Sequence, residues 1–285
     1  MPTKLSIPKI NEKVVFNKII KERQNGANKN FFYSYKNLWW ARYEEYVKYN
    51  SNPERITCSI IEKKNKNKFI NLFNSGVGCV ELKIKNPIKN HNLVLCPFCG
   101  EAGRPTTLDH FLPKEKYPEY SVLSKNLVPA CDYCQRKDLK GEKVFDKNNK
   151  RLFLHPYYDI PSNIEIIKIK IIPPFDSATK IKVSINMDLD KDLINIAKRH
   201  INTLRIEERF RNFFSTEYIR QKELIIQMYK HHETDKKSIL IKIIKSFYDS
   251  AKDKSINYWD AILYKGILDN NKLIDYLYMK AKEED

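Results

Sequence analysis

The chain has only seven glycines in 285 residues and no regular repeat, which excludes collagenous, fibrous and solenoid architectures. It lacks any run approaching the roughly 18 apolar residues that would span a bilayer, and Met1 to Ile10 holds no continuous apolar segment of a secretory signal. A cytoplasmic protein with no membrane partner is the expectation. Acidic residues are in deficit, since 35 Asp and Glu face 52 Lys and Arg, a formal net charge of +17. Apolar residues make up 42% of the chain and aromatics 12%, which excludes a disordered basic tail and supplies a core.

The positive charge is unevenly spread. Before Cys96 there are 18 basic and seven acidic residues, from Cys96 to Lys150 ten and eight, and beyond that 24 and 20. A concentrated positive field attracts polyanions, and contacts to phosphate release condensed counterions, so nucleic acid is the leading partner. The competing reading makes lysines such as those between Glu62 and Lys68 a solvated loop. An anionic membrane surface would match the charge, but the sequence shows no basic helix with a clean apolar face and no lipidation motif.

Residues 11–50 read as helical with a break from Gln24 to Asn30, and Trp39, Tyr43 and Tyr46 recur at helical spacing as core rather than as a base-stacking platform. A second helical element is expected from Pro53 to about Asn74, closed by Gly76 and Gly78. Ile164 to Ile172 and the alternating Ile181, Val183, Ile185 and Met187 predict a β-hairpin turning near Pro173-Pro174. From Asp188 the pattern becomes helical, with apolar faces such as Leu193, Ala197, Ile201 and Leu204.

Cys96-Pro97-Phe98-Cys99 and Cys131-Asp132-Tyr133-Cys134 form two CxxC pairs separated by the 31 residues from Gly100 to Ala130. Four thiolates can close a tetrahedral shell about zinc, and in a reducing compartment that is favoured over two disulfides. Such a closed shell leaves no position open for catalysis, so the zinc is structural and the chemistry must come from the loop it pins. Cys58 and Cys79 have no such partners and read as ordinary buried thiols. The segment between the pairs holds Thr106-Thr107-Leu108-Asp109-His110-Phe111-Leu112-Pro113, then Asn126-Leu127-Val128-Pro129 running into the second pair.

From Cys96 to about Asp138 these residues resemble the HNH endonucleases, the His-Me finger or ββα-metal group, in the subgroup braced by two CxxC knuckles. The resemblance implies Asp109 as a ligand of a catalytic Mg²⁺ or Mn²⁺, His110 as general base, Asn126 as the residue orienting the His110 loop, and Gln135 as a second metal ligand. Gln135 departs from the Asn or His usual there, carrying its amide oxygen one methylene farther out. Asp138 lies three residues on and could supplement it if a helix begins near Asp132. Lys114, Lys116, Arg136 and Lys137 could position phosphates. The stretch His155-Pro156-Tyr157-Tyr158-Asp159 is matched in similar HNH proteins, many of them encoded with phage-defence ATPases of the Septu or retron kind; His155 itself reads as structural.

The expected fold is α+β: a zinc-braced ββα-metal core, mainly helical N- and C-terminal regions, and a β-hairpin after the core. The expected division is 1–90, 91–150, 151–188 and 189–285. The expected function is hydrolysis of DNA, with RNA left open; the resemblance implies an antiphage effector with an ATPase defence subunit as its partner. The alternative is a noncatalytic zinc module that binds nucleic acid or a partner protein.

Overall fold

The computed structural model describes residues 2–22, 26–59, 61–75, 78–176, 180–232 and 235–283. Gln24, Asn25 and Gly76, assigned to breaks from the sequence, lie outside the described residues, whereas Gly26 to Asn30, expected in the first break, are helical. The chain divides into two compact units, one made of Lys4–Phe98 and Gly103–Ile160, the other of Met1–Thr3, Cys99–Ala102 and Pro161–Asp285. Helices and two small antiparallel sheets make it an α+β protein. Among the described residues no helix is long and apolar enough to cross a membrane.

The first unit opens with α1 (Glu12–Glu22) and α2 (Gly26–Lys48). The aromatic stripe of α2 is core: Trp39, Tyr43 and Tyr46 are buried, and Phe16, Phe32 and Phe69 meet Trp39 ring to ring at 4.8, 5.5 and 5.0 Å. Trp39 Nε1 donates to Glu119 O at 2.7 Å, so the largest side chain of the cluster also satisfies its one donor. The next helix, α3 (Lys63–Asn74), starts ten residues later than the expected Pro53. Asn50 and Ser51 take positive φ angles of 47° and 63°, and the Asn52 carbonyl accepts from Arg55 and Ile56, so the chain turns there instead of continuing helically. After α3 come α4 (Gly78–Val80), a π-helical turn at Glu81–Lys85 and α5 (Asn86–Lys89).

The strands β1 (Thr107–His110) and β2 (Leu127–Ala130) pair antiparallel, with Thr107 opposite Ala130 and His110 opposite Leu127, and α6 (Asp132–Gln135) follows at once. The order is strand, strand, helix. β2 is buried along its whole length, whereas β1 alternates half-buried Thr107 and Asp109 with buried Leu108 and His110.

The second unit contains the expected hairpin, as β3 (Ile167–Ile172) and β4 (Lys180–Ile185) with Ile167 opposite Ile185, the two prolines lying in the connection. Its helices are α7 (Lys191–Thr203), α8 (Ile206–Lys230), α9 (Lys237–Lys254), α10 (Trp259–Leu268) and α11 (Asn271–Lys282). α7 begins where the Asp190 carboxylate accepts from Leu193 N at 2.8 Å as an N-cap, two residues past Asp188, from which the sequence pattern becomes helical. α10 lies on β3 so closely that a Cβ on Gly266 would meet Ile169 Cγ1 at 2.5 Å.

Candidate metal centre and the Asp109–His110 loop

The sulfurs of Cys96, Cys99, Cys131 and Cys134 all lie within 4.8 Å of one another, and none of these cysteines is in a disulfide. A tetrahedral shell at about 2.3 Å puts its sulfurs about 3.8 Å apart, so the cluster is closed enough for a structural metal ion. The turn at the first pair uses Gly100 in the left-handed region (φ 71°), and the second pair sits on the first turn of α6, with Cys131 as its N-cap residue. Cys131 N–H donates to Cys96 Sγ and Arg209 Nη2 to Cys99 Sγ, each at 3.4 Å. These donors meet sulfur as an acceptor, and the Glu101 carboxylate lies 3.9 Å from Cys99 Sγ. Arg209 also forms an ion pair with Glu101. Cys79 is buried as expected, but Cys58 is exposed; it falls in the turn-rich chain before α3, where no helix carries it inward.

β1 ends at His110. Asp109 is half-buried and His110 buried, and the end of the strand at His110 is the condition under which neighbouring side chains that would otherwise alternate can reach one site. The His110 ring is buried, edge-on to Phe73 at 4.4 Å between centroids, with Nε2 2.9 Å from Ser121 O. A carbonyl can only accept, so Nε2 carries the hydrogen and the neutral ring keeps its lone pair on Nδ1. Burial, then the charges of Lys114 and Lys140, pull the His110 pKa down to about 3 against the opposing Ser121 bond.

Asp109 Oδ2 lies 2.7 Å from Lys140 Nζ in a buried ion pair. Lys140 Nζ also donates to His110 O at 2.7 Å and lies over the Phe153 ring. Burial raises the Asp109 carboxyl above its usual range while the Lys140 ammonium draws it back down. Gln135 Nε2 donates to Thr107 Oγ1, which shares a face of β1 with Asp109.

Asn126 is fully buried and clamps the chain just past His110: its Oδ1 accepts from Leu112 N at 2.8 Å, its Nδ2 donates to Leu112 O at 3.0 Å and Tyr120 O at 3.1 Å, and its carbonyl accepts from Phe111 N. Tyr46 OH reaches Asn126 Oδ1 at 3.1 Å and His155 Nε2 at 3.2 Å. Asp138 is engaged by Arg136 at 3.0 and 3.1 Å, and Lys114 by Asn74 at 3.2 Å. The residues that sequence reasoning passed over are Lys140, Tyr46 as a hydrogen-bond donor, and Ser121 as an acceptor. Lys140 stands in a run of charged residues, and nothing in that run distinguishes the one lysine that is fully buried.

Among the described residues, the cysteine set is the one group of three or more His, Cys, Asp or Glu side chains placed to hold a metal ion. The resemblance to HNH enzymes implies a second ion at Asp109. The Asp109 carboxylate is an oxygen ligand of the kind that suits a hard divalent cation, but the ammonium of Lys140 already stands against it, and Gln135 turns its Nε2 toward Thr107 Oγ1.

No protein-family model matches the chain, and no solved structure matches it. It is similar to Protein ea31 of Escherichia phage lambda, 28% identical over 184 residues, covering 60% of each chain. It is also similar to Septu protein PtuB of Bacillus thuringiensis, 33% identical over 72 residues, 24% of this chain and 26% of that protein. The chain therefore spans less than two thirds of either relative's own length.

Proposed function

We propose that the protein is a zinc-braced HNH endonuclease that hydrolyses DNA phosphodiester bonds as an antiphage defence effector, acting with an ATPase subunit. The observation that carries this reading is the state of His110: a neutral imidazole with Nε2 committed to Ser121 O and the Nδ1 lone pair left for a water proton. Ser121 O orients the ring and stabilises the imidazolium as it forms. Asn126 fixes the backbone immediately after His110, so the base is held on a clamped loop rather than a mobile one. A divalent ion held by Asp109 and Gln135 would bind the scissile phosphate and offset charge on the 3′ leaving oxygen. In the free protein His110 is a weak base. A phosphate brought close to it adds negative charge that opposes the burial and lysine charges holding its pKa near 3, which raises its basicity when substrate is present. The four cysteines hold zinc as a brace for the β1–β2 pair and α6. Similarity to the Septu protein supports the defence setting.

Plasmid cleavage with Mg²⁺ or Mn²⁺ tests the proposal. Wild type should cut, in the presence of its ATPase partner if the chain alone is silent, and His110→Ala should lose at least about 100-fold in rate. Equal cutting by both would sink it. The Lys140–Asp109 ion pair favours a second reading, a noncatalytic zinc module for nucleic acid or a partner protein, which predicts that His110→Ala retains defence in cells.

A further inference from the structure

Lys140 is the most thoroughly buried cation of the HNH-like segment, its side chain 1% exposed against 12% for Asp109. Its ammonium meets two consecutive residues of β1, the Asp109 carboxylate and the His110 carbonyl, both at 2.7 Å. Its backbone is tied as well: Lys140 N–H donates to Cys134 O at 3.3 Å, and Gly141 follows in the left-handed region, where a Cβ would sit 3.0 Å from the Lys137 backbone. The second cysteine pair thus aims this lysine at Asp109.

Two cations cannot share one buried carboxylate at contact distance without strong mutual repulsion. An ammonium at 2.7 Å lies close to where a divalent ion bound to Oδ2 would have to sit. The Lys140 ammonium is carried on four rotatable methylenes, so releasing Asp109 calls for a change of side-chain rotamer and not of the backbone that Cys134 holds.

We infer that Lys140 holds the cation position of Asp109 in the free protein and must release the carboxylate before a divalent ion binds, so that Lys140 sets how readily the site loads. The inference rests on the nuclease reading for its purpose but makes its own claim about Asp109. It gives the site a threshold: divalent ion enters when something else, such as a phosphate of the substrate, offers the ammonium a better partner.

The test is a Mn²⁺ titration of the zinc-loaded full chain, followed by the paramagnetic resonance of free Mn²⁺, on wild type, Lys140→Gln, Asp109→Asn and the double variant. Lys140→Gln should bind one Mn²⁺ at least tenfold more tightly than wild type, and adding Asp109→Asn should remove that gain. Equal affinity in wild type and Lys140→Gln overturns the inference, as does a gain that survives Asp109→Asn. If Lys140→Gln fails to fold, judged by zinc content and melting, wild type decides alone: weak binding upholds the inference, and stoichiometric Mn²⁺ binding that Asp109→Asn removes overturns it. The two readings fail separately. A chain that cuts DNA through His110 but shows no Lys140 effect keeps the nuclease and loses the threshold, whereas a gain in Mn²⁺ affinity without any cutting does the reverse.

Discussion

His155 sits fully buried against Phe111, Tyr157 and Tyr158, with ring centroids 4.1, 5.3 and 4.8 Å away. Its Nδ1 accepts from Tyr157 N–H at 3.1 Å, so in the neutral ring the hydrogen is on Nε2, facing Tyr46 OH. Burial first, and the charges of Arg151 and Lys140 next, hold its pKa well below the usual 6.5. The folded chain therefore leaves this ring neutral where the unfolded chain binds a proton, and stability falls as pH drops below about 6.5. The contribution of His155 reaches about 1.4 kcal/mol per pH unit while the folded ring stays neutral. Urea denaturation between pH 7.5 and 5 should show His155→Gln less stable than wild type at pH 7.5 yet flatter in its pH dependence. An unchanged slope would mean the ring titrates normally in the fold. The structural role of His155 was legible from its place in an aromatic-rich stretch. Its bond to Tyr46 was not, because 109 residues of sequence separate the two.

The two cysteine pairs were the most legible elements of the chain, since a two-residue spacer repeated twice has few physical explanations besides a metal ion. Sequence alternation also exposed the β3–β4 hairpin, where Ile167, Ile171 and Ile181 turn inward. The start of α3 was illegible because apolar spacing continues through residues 53–62 while positive-φ residues and Asn52 set the turn locally. α6 was visible only through Cys131 and Gln135, being a single turn too short for any periodicity. The contrast between cysteines gives an element-level prediction. Cys131→Ser should leave less than one zinc per chain and lower the melting temperature by several degrees, because the β1–β2 pair and α6 would lose an ion that joins them. Cys58→Ser, at an exposed position, should change neither zinc content nor melting. Zinc retained in Cys131→Ser would remove the four-sulfur shell from the account.

At the scale of the whole molecule the charge of +17 is concentrated in the first 95 residues, an excess of eleven, while the segment from Cys96 to Lys150 carries an excess of only two. The fold sorts those N-terminal lysines by availability. Lys85 is buried, paired with Glu81 and donating to Phe73 O at 3.2 Å, so it holds the turn after α4 and offers nothing to a ligand. Lys63, Lys64, Lys83 and Lys89 are exposed, and the pairing of Lys64 with Glu62 at 2.8 Å is a surface contact that a polyanion can displace at little cost. Each phosphate contact to duplex DNA contributes about 0.9 to the slope of log affinity against log salt. Changing Lys63, Lys64, Lys83 and Lys89 together to Gln should therefore lower that slope by one to a few units, in proportion to the contacts they make, with zinc content unchanged. Lys85→Gln should do the opposite, lowering the melting temperature while leaving the salt slope where it was. A slope unaffected by the fourfold change would assign the N-terminal charge to hydration of the surface and count against the proposal that this region grips DNA.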